Sequence, residues 1–182
     1  MRFYTRRGDG GFTRLASGEQ VRKSDPRIQS CGEIDELNSL LGWIHSQTDP
    51  RSKTAQALDG IQRDLFLLGA ELSSSRTHPL KGRQGVTSRS VKKLEKLIEE
   101  WESPLPPVRG FIIPRGHPLA AAAHLARCVC RRAERTVSVL STAKKVRPFS
   151  LSYLNRLSSW LFVFALSLNR EHGVSETCWR PK

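Results

Sequence analysis

Apolar residues recur at helical spacing in five stretches of this chain and at strand spacing in none. The clearest run is Leu58, Ile61, Leu65, Leu68 and Leu72, whose 3-4-3-4 steps place every side chain on one stripe, as at the seam of a bundle. Ile34, Leu37, Leu41 and Ile44 mark a second helix; Ser30-x-x-Glu33 reads as the capping box that opens it, and Pro50 lies beyond its end. A third helix, about 87–102, carries Val91, Leu94, Leu97, Ile98 and Trp101, and is stopped by Pro104, Pro106 and Pro107. A fourth, about 118–143, uses Leu119, Ala122, Ala126, Val129, Ala133, Val137 and Leu140. A fifth, about 150–171, opens at Pro148 and Ser150 and carries Leu151, Leu154, Leu157, Leu161, Ala165 and Leu168. The expected fold class is all-α, an antiparallel five-helix bundle forming one domain over 1–182. Residues 1–29 are expected as a loop or short extended segment, 73–86 as a polar loop, 109–118 as a Gly/Pro-rich link and 172–182 as an irregular tail.

The chain's 182 residues suffice for one sizeable core. No apolar run approaches the roughly 18 residues needed to span a bilayer; the longest, 160–168, is short and broken by Ser167. The first residues, Met1 to Gly8, hold no apolar segment of the secretory kind, so the expected location is the cytoplasm. Cys128 and Cys130, two apart on a helix, point to nearly opposite sides and make no zinc pair; with Cys31 and Cys178 they are expected as reduced thiols. The net charge of +13 attracts nucleic acid, membrane surfaces or small polyanions. The positive residues are dispersed: Arg2, Arg6, Arg7, Arg14, Arg22, Lys23 and Arg27, then 83–96 from Arg83 onward, the fourth helix, and 144–147 from Lys144. No aromatic-interleaved patch or nucleic-acid motif accompanies them, which leaves nucleic-acid binding without support.

The segment from His124 to Arg135 carries the most chemistry. Arg127, Arg131 and Arg135 stand at i, i+4, i+8 on one helical face, with Glu134 beside them. Like charges at that spacing repel by a few tenths of a kcal/mol per pair. The guanidinium fork suits phosphate and carboxylate, so an anionic ligand competes here with the plainer reading of a solvated basic face. His124, on the same face, reads as packing or solvent-exposed before it reads as a base. In Thr5 to Thr13, the glycines Gly8, Gly10 and Gly11 permit the close backbone approach of a phosphate-cradling loop, without the Gly-Lys-Ser/Thr of a Walker motif. Asp35 and Glu36 are placed in the first turn of helix one, where the macrodipole favours anions. That accounts for Glu36, while Asp35, off the apolar stripe, is available to an arginine of another helix or subunit. Asn155 and Arg156 flank the apolar face of helix five, and Phe111 precedes Ile112, Ile113 and Pro114 as a candidate core residue.

Taken in order, Tyr4-Thr-Arg-Arg-Gly-Asp-Gly-Gly-Phe-Thr13, Lys23-Ser-Asp-Pro-Arg27, Gly32-Glu-Ile-Asp-Glu-Leu-Asn38, Phe111-Ile-Ile-Pro114, His124-Leu-Ala-Arg127, Arg131-Arg-Ala-Glu-Arg135 and Tyr153-Leu-Asn-Arg-Leu-Ser158 resemble the PduO-type ATP:cob(I)alamin adenosyltransferases. The resemblance covers nearly the whole chain, including Glu176-Thr-Cys-Trp179. It implies a ferritin-like five-helix bundle that assembles as a homotrimer with ATP bound between subunits. It implies transfer of the 5′-deoxyadenosyl group from ATP to the cobalt of cob(I)alamin, with tripolyphosphate leaving and Mg²⁺ required. By this resemblance Thr5, Arg6, Arg7, Gly8, Asp9, Gly10, Gly11, Phe12, Thr13, Arg14 and Lys23 hold the triphosphate. Arg131, Arg132, Glu134 and Arg135 supply the helix-four part of the ATP site and Asn155 the helix-five part. Arg127 pairs with Asp35 across the subunit interface, and Phe111 lines the corrin side and excludes the lower axial ligand. No residue is assigned as a metal ligand.

The implied partners are ATP and corrinoid, and beyond them a reductase or an adenosylcobalamin-dependent enzyme, with no membrane. The chain departs from the family pattern at Arg7, where Thr is usual, at Arg14, where a small hydroxyl residue is usual, at Arg115 within Pro-Gly-Gly, and at Ser159, where Asp is usual. Two competing readings remain from the residues: a corrinoid- or ATP-binding carrier impaired in turnover, and a basic helical nucleic-acid binder.

Overall fold

The computed structural model describes residues 4–74, 85–142 and 146–180. The expectations placed on 1–3, on 75–84 with Arg83, on 143–145 with Lys144 and on 181–182 lie outside the described residues. Among the described residues the chain forms two short strands, β1 (Phe12–Arg14) and β2 (Gln20–Arg22), and five helices, α1 (Pro26–Ser46), α2 (Lys53–Leu72), α3 (Ser88–Glu102), α4 (Pro118–Thr142) and α5 (Pro148–Glu171).

The apolar stripes fold as expected. Leu58, Ile61, Leu65, Leu68 and Leu72 are all buried on α2, and Ile34, Leu37, Leu41 and Ile44 on α1. On α4 the stripe from Ala122 to Leu140 is buried, while Leu119 is half-buried at its start. α5 is buried on more than one side, adding Tyr153, Trp160, Val163, Phe164 and Leu166 to its stripe, because α3 and α4 both pack on it. Trp101 of α3 meets Trp160 and Phe164 edge-on, with centroids 5.5 and 5.4 Å away. α4 lies between α1 and α5; α2 flanks α1, and α3 flanks α5. The helices of α1/α2, α1/α4 and α4/α5 run antiparallel, as the contacts Cys31/Gly69 with Asn38/Gln62, Glu33/Thr136 with Glu36/Arg132, and Arg127/Phe162 with Glu134/Asn155 show. α3 and α5 run side by side in the same direction, as the pairs Glu95/Arg156 and Trp101/Phe164 show.

Two expectations are corrected. Helix α1 begins at Pro26, not at Ser30: the Asp25 carboxylate caps it by accepting from Arg27 N at 2.9 Å, and Pro26 occupies the first position. Aspartate followed by proline combines a good cap with a preset φ, and this start wins over the Ser30–Glu33 box. Ser30 is buried inside the helix, its Oγ donating to Pro26 O at 2.8 Å. Asp35 and Glu36 therefore lie well past the first turn, and the macrodipole does not explain them. Second, residues 12–22 contain an antiparallel hairpin with Phe12 opposite Arg22 and Arg14 opposite Gln20. Its three-residue strands are too short to show alternation in the sequence. α5 opens at Pro148 as expected, with Arg147 as N-cap and no side-chain cap of its own. Glu71 of α2 supplies the acceptor instead, taking Arg147 N at 3.1 Å and Ser150 Oγ at 2.6 Å on one carboxylate oxygen. All four cysteines are free thiols, and among the described residues no helix is long and apolar enough to cross a membrane.

Candidate functional site

The N-terminal loop and hairpin build the first part of the site. Gly11 N donates to Gly8 O at 3.2 Å, and Lys23 N to Gly11 O at 2.9 Å, so the loop closes over itself. Arg6 and Gly11 take left-handed conformations at φ 58° and 80°. A Cβ on Gly8 would come within 3.2 Å of Lys23 Nζ, so glycine lets the ammonium group lie over the loop. Thr5, Arg7, Gly8, Thr13, Arg14 and Lys23, with Phe12 and Gln20, line a cleft of about 650 Å³ that contains no carboxylate. Arg6, Asp9, Gly10 and Gly11 belong to the same loop without lining the cleft. Arg22 stacks over Phe12 at 5.2 Å, and Arg14 Nη1 donates to Gly18 O at 3.1 Å. Such a cleft concentrates positive potential for a polyanion. Arg27 fixes the hairpin to α1: its Nη atoms bond both Glu19 oxygens at 3.0 and 3.1 Å and its Nε bonds Asp25 at 3.2 Å. The hydrogen bond to Glu19, then that to Asp25, hold its guanidinium above its ordinary pKa.

The second part lies between α4 and α5. Arg127 and Arg131 line a cleft of about 380 Å³ with Ile98, Glu102, Ser158, Ser159, Phe162 and Val163. The Arg127 guanidinium sits over the Phe162 ring at 5.8 Å, and its Nε is buried without a hydrogen-bond partner. Arg131 is exposed and makes no ion pair among the described residues. His124 lies one turn before Arg127 and is buried, which decides for packing over exposure. Burial first, and the Arg127 cation second, push its pKa down to about 4. Glu134 of α4 and Asn155 of α5 meet, Asn155 Nδ2 donating to Glu134 Oε1 at 3.0 Å. Asn155 Oδ1 accepts from Arg156, whose Nε donates to Glu95 at 3.1 Å. Arg135 follows Arg131 on the same row and donates to its carbonyl at 3.2 Å.

Arg132 stands apart from this group. It turns toward α1 and pairs with Glu36, a partnership that sequence reading missed because it joins residues 96 apart in the chain. Asp35 is exposed on α1 and forms no ion pair with Arg127 within the chain.

The third part is the link between α3 and α4. Phe111 is 77% exposed, so it is not core. The tail, expected as irregular, pairs with the link: Ile113 N donates to Thr177 O at 2.9 Å and Trp179 N to Phe111 O at 2.7 Å, with Ile112 opposite Cys178. The Arg115 guanidinium, a departure from the family pattern, bonds Thr177 Oγ1 at 2.8 and 3.2 Å and fastens the two segments together. Ser159, another such departure, donates to Asn155 O at 3.3 Å. Ile112, Leu166, Val174, Leu105, Pro107 and Val108 line an apolar groove of about 470 Å³ behind the link. Among the described residues no group of three or more His, Cys, Asp or Glu is placed to cage a metal ion.

Among the described residues, two cation-lined clefts and an exposed aromatic on a pinned link mark a helical protein suited to a polyanionic ligand. The family model for cobalamin adenosyltransferases matches residues 3–168, and the chain belongs to that family. It is 42% identical over 176 residues to a cobalamin adenosyltransferase of Cupriavidus metallidurans, covering 97% of this chain and 92% of that one. It is 37% identical to a corrinoid adenosyltransferase of Mycobacterium leprae, covering 99% and 96%. Among solved structures, it resembles a phenylalanine-to-alanine variant of a PduO-type ATP:corrinoid adenosyltransferase from Lactobacillus reuteri complexed with cobalamin and ATP, with TM-score 0.92, 31% identity and coverage of 99% and 100%. An arginine-to-lysine variant of the Lactobacillus reuteri enzyme, complexed with ATP, matches with TM-score 0.89 and 32% identity, covering 98% and 100%.

Proposed function

We propose that this chain transfers the 5′-deoxyadenosyl group of ATP to the cobalt of cob(I)alamin, giving adenosylcobalamin and tripolyphosphate. The observation that carries the reading is the Arg127–Arg131 cleft with the Glu134–Asn155 pair beside it. Co(I) is the nucleophile: its electron pair forms the bond to C5′, the C5′–O bond breaks, and the charge leaves on the tripolyphosphate. The protein's part is to orient C5′ against cobalt and to stabilise the departing charge. Arg131 serves the departing charge, Arg127 beside it pairs with Asp35 of a second copy, the loop cations Arg7, Arg14 and Lys23 hold the triphosphate, and Asn155, braced by Glu134 and Arg156, orients the nucleotide. Arg132, engaged with Glu36, acts by joining α4 to α1. Phe111 stands on the corrin side. Mg²⁺, when bound with ATP, would add positive charge to the triphosphate that Arg7, Arg14 and Lys23 hold.

Assembly as a homotrimer, with the ATP site shared between subunits, is supported by the exposure of Asp35 and by the partnerless buried Nε of Arg127. Phe66, Leu125 and Val139, exposed at 69%, 57% and 63%, supply apolar surface for such contacts. The free thiols suit the reducing cytoplasm, and a reductase that delivers Co(I) is the partner class the chemistry calls for. Anaerobic incubation with chemically reduced cobalamin and Mg-ATP tests the reading. Conversion of the cob(I)alamin absorbance to that of adenosylcobalamin is expected; ATP binding without that conversion would mark a carrier.

A further inference from the structure

Phe111 has little packing of its own to hold it, at 77% exposure, so its position is inherited from what anchors the link. The anchor is Asn169, on the last turns of α5 and 1% exposed. Its Oδ1 accepts from His117 N at 2.9 Å. Its Nδ2 donates to Arg115 O at 3.1 Å and to Glu176 Oε1 at 2.9 Å. One carboxamide thus holds both sides of the link's last turn and the tail. None of its side-chain bonds lies within α5, so helix capping does not account for it. Gly116, between Arg115 and His117, has φ +125°, and a Cβ there would overlap the Asn169 carboxamide. The link is shaped to receive this side chain. The rings of His117 and His172 stack alongside at 3.6 Å, and Asn169 O accepts from Val174 N at 2.8 Å, which starts the tail back toward the link. From these anchors the two segments pair, and the pairing ends on Phe111 O itself.

We propose that Asn169 is a positioning residue for adenosyl transfer, setting where Phe111 stands over the corrin through the Arg115–His117 link and the Glu176 tail. The proposal rests on the reading of Phe111 as the corrin-side aromatic. Displacing a group in a reacting complex by about 1 Å can cost on the order of a hundredfold in rate.

The test is a double-mutant cycle of Asn169→Ala and Phe111→Ala. It reads the rate with cob(II)alamin and a chemical reductant, the Kd for ATP, and the visible spectrum of cob(II)alamin bound with ATP. Asn169→Ala is expected to slow the reaction about tenfold or more, to bring the spectrum toward that of Phe111→Ala, and to leave ATP affinity within about twofold. In the Phe111→Ala background the same change is expected to do nothing further. Equal slowing in both backgrounds, or a matching loss of ATP affinity, would overturn the proposal. Slow Phe111→Ala with normal Asn169→Ala would overturn it while leaving the reading of Phe111 intact. A normal rate for Phe111→Ala would overturn both. Glu176→Ala cuts the tail contact from outside the bundle and guards against misfolding of Asn169→Ala. It is expected to slow the reaction in the native background and not in the Phe111→Ala background; additive slowing would overturn the proposal.

Discussion

Acidification should destabilise this protein through His124. The ring is 3% exposed, 6.0 Å from the Phe162 ring, with neither nitrogen hydrogen-bonded. Burial and then Arg127 lower its pKa from 6.5 to about 4. Between those values the unfolded chain binds a proton that the folded chain refuses. Stability is therefore fully present above pH 6.5 and is lost as the pH falls toward 4. A difference of that size is worth about 3 kcal/mol when complete, and about 2 kcal/mol by pH 5. That is a large share of the roughly 5–15 kcal/mol that holds a domain folded. Urea unfolding at a series of pH values between 4.5 and 7.5, for the native protein and His124→Leu, measures it. The leucine variant should lose about 2 kcal/mol less between pH 7 and pH 5. Parallel curves for the two proteins would refute the argument. A proton NMR titration separates the two causes: in Arg127→Met, His124 should remain well below 6.5, because burial is the larger.

Arg131→Ala should lower kcat about 10²–10³-fold while changing stability by less than about 0.5 kcal/mol, since the side chain makes no ion pair; near-normal turnover would return the arginine row to a solvated face. Light scattering at micromolar concentration should give the mass of three chains, and a monomer would sink the shared ATP site. Arg27→Ala should cost about 1–3 kcal/mol of stability and raise the KM for ATP more than it lowers kcat, because Arg27 ties down the hairpin that ends at Lys23; an unchanged KM would show that the hairpin is held without it.

What the sequence made legible follows from periodicity. The α2 and α4 stripes bury one face each, and a one-sided burial writes itself into the chain every three or four residues. α5 was harder, because neighbours on more than one side leave only a narrow polar strip, Ser152, Asn155 and Ser159, to contrast with its stripe. The start of α1 differs from the expected one because two capping signals lie five residues apart, Asp25-Pro26 and Ser30, and the aspartate cap with its preset proline outweighs the Ser30–Glu33 box. The Gly-rich segment was legible as a loop from its composition, while its hairpin was not. The tail clasp could not be read at all: Asn169, Gly116 and Glu176 look like an isolated polar residue, a turn and a surface charge until the fold brings them together. A buried asparagine near the end of an apolar helix was the one available signal.

The arginines of α4 divide by what they meet. Arg131 and Arg132 are adjacent, and so are Asp35 and Glu36 on α1, yet each helix turns its neighbours about 100° apart. Arg132 meets Glu36 inside the chain. Arg131 and Arg127 face a cleft whose single carboxylate, Glu102, makes no ion pair with either of them. Arg127 also carries a buried Nε donor without an acceptor, which costs about 1–3 kcal/mol if it stays unmet. An acceptor must then come from outside the chain, and two are at hand on the proposed assembly: the nucleotide, and Asp35 of a second copy. If the second copy meets Arg127, assembly removes the unmet donor and leaves Arg131 to the phosphate. Completing the subunit contact and completing the ATP site then become one event, which is why Asp35→Ala should weaken ATP binding although Asp35 lies on α1 and makes no ion pair with Arg127 or Arg131 in its own chain.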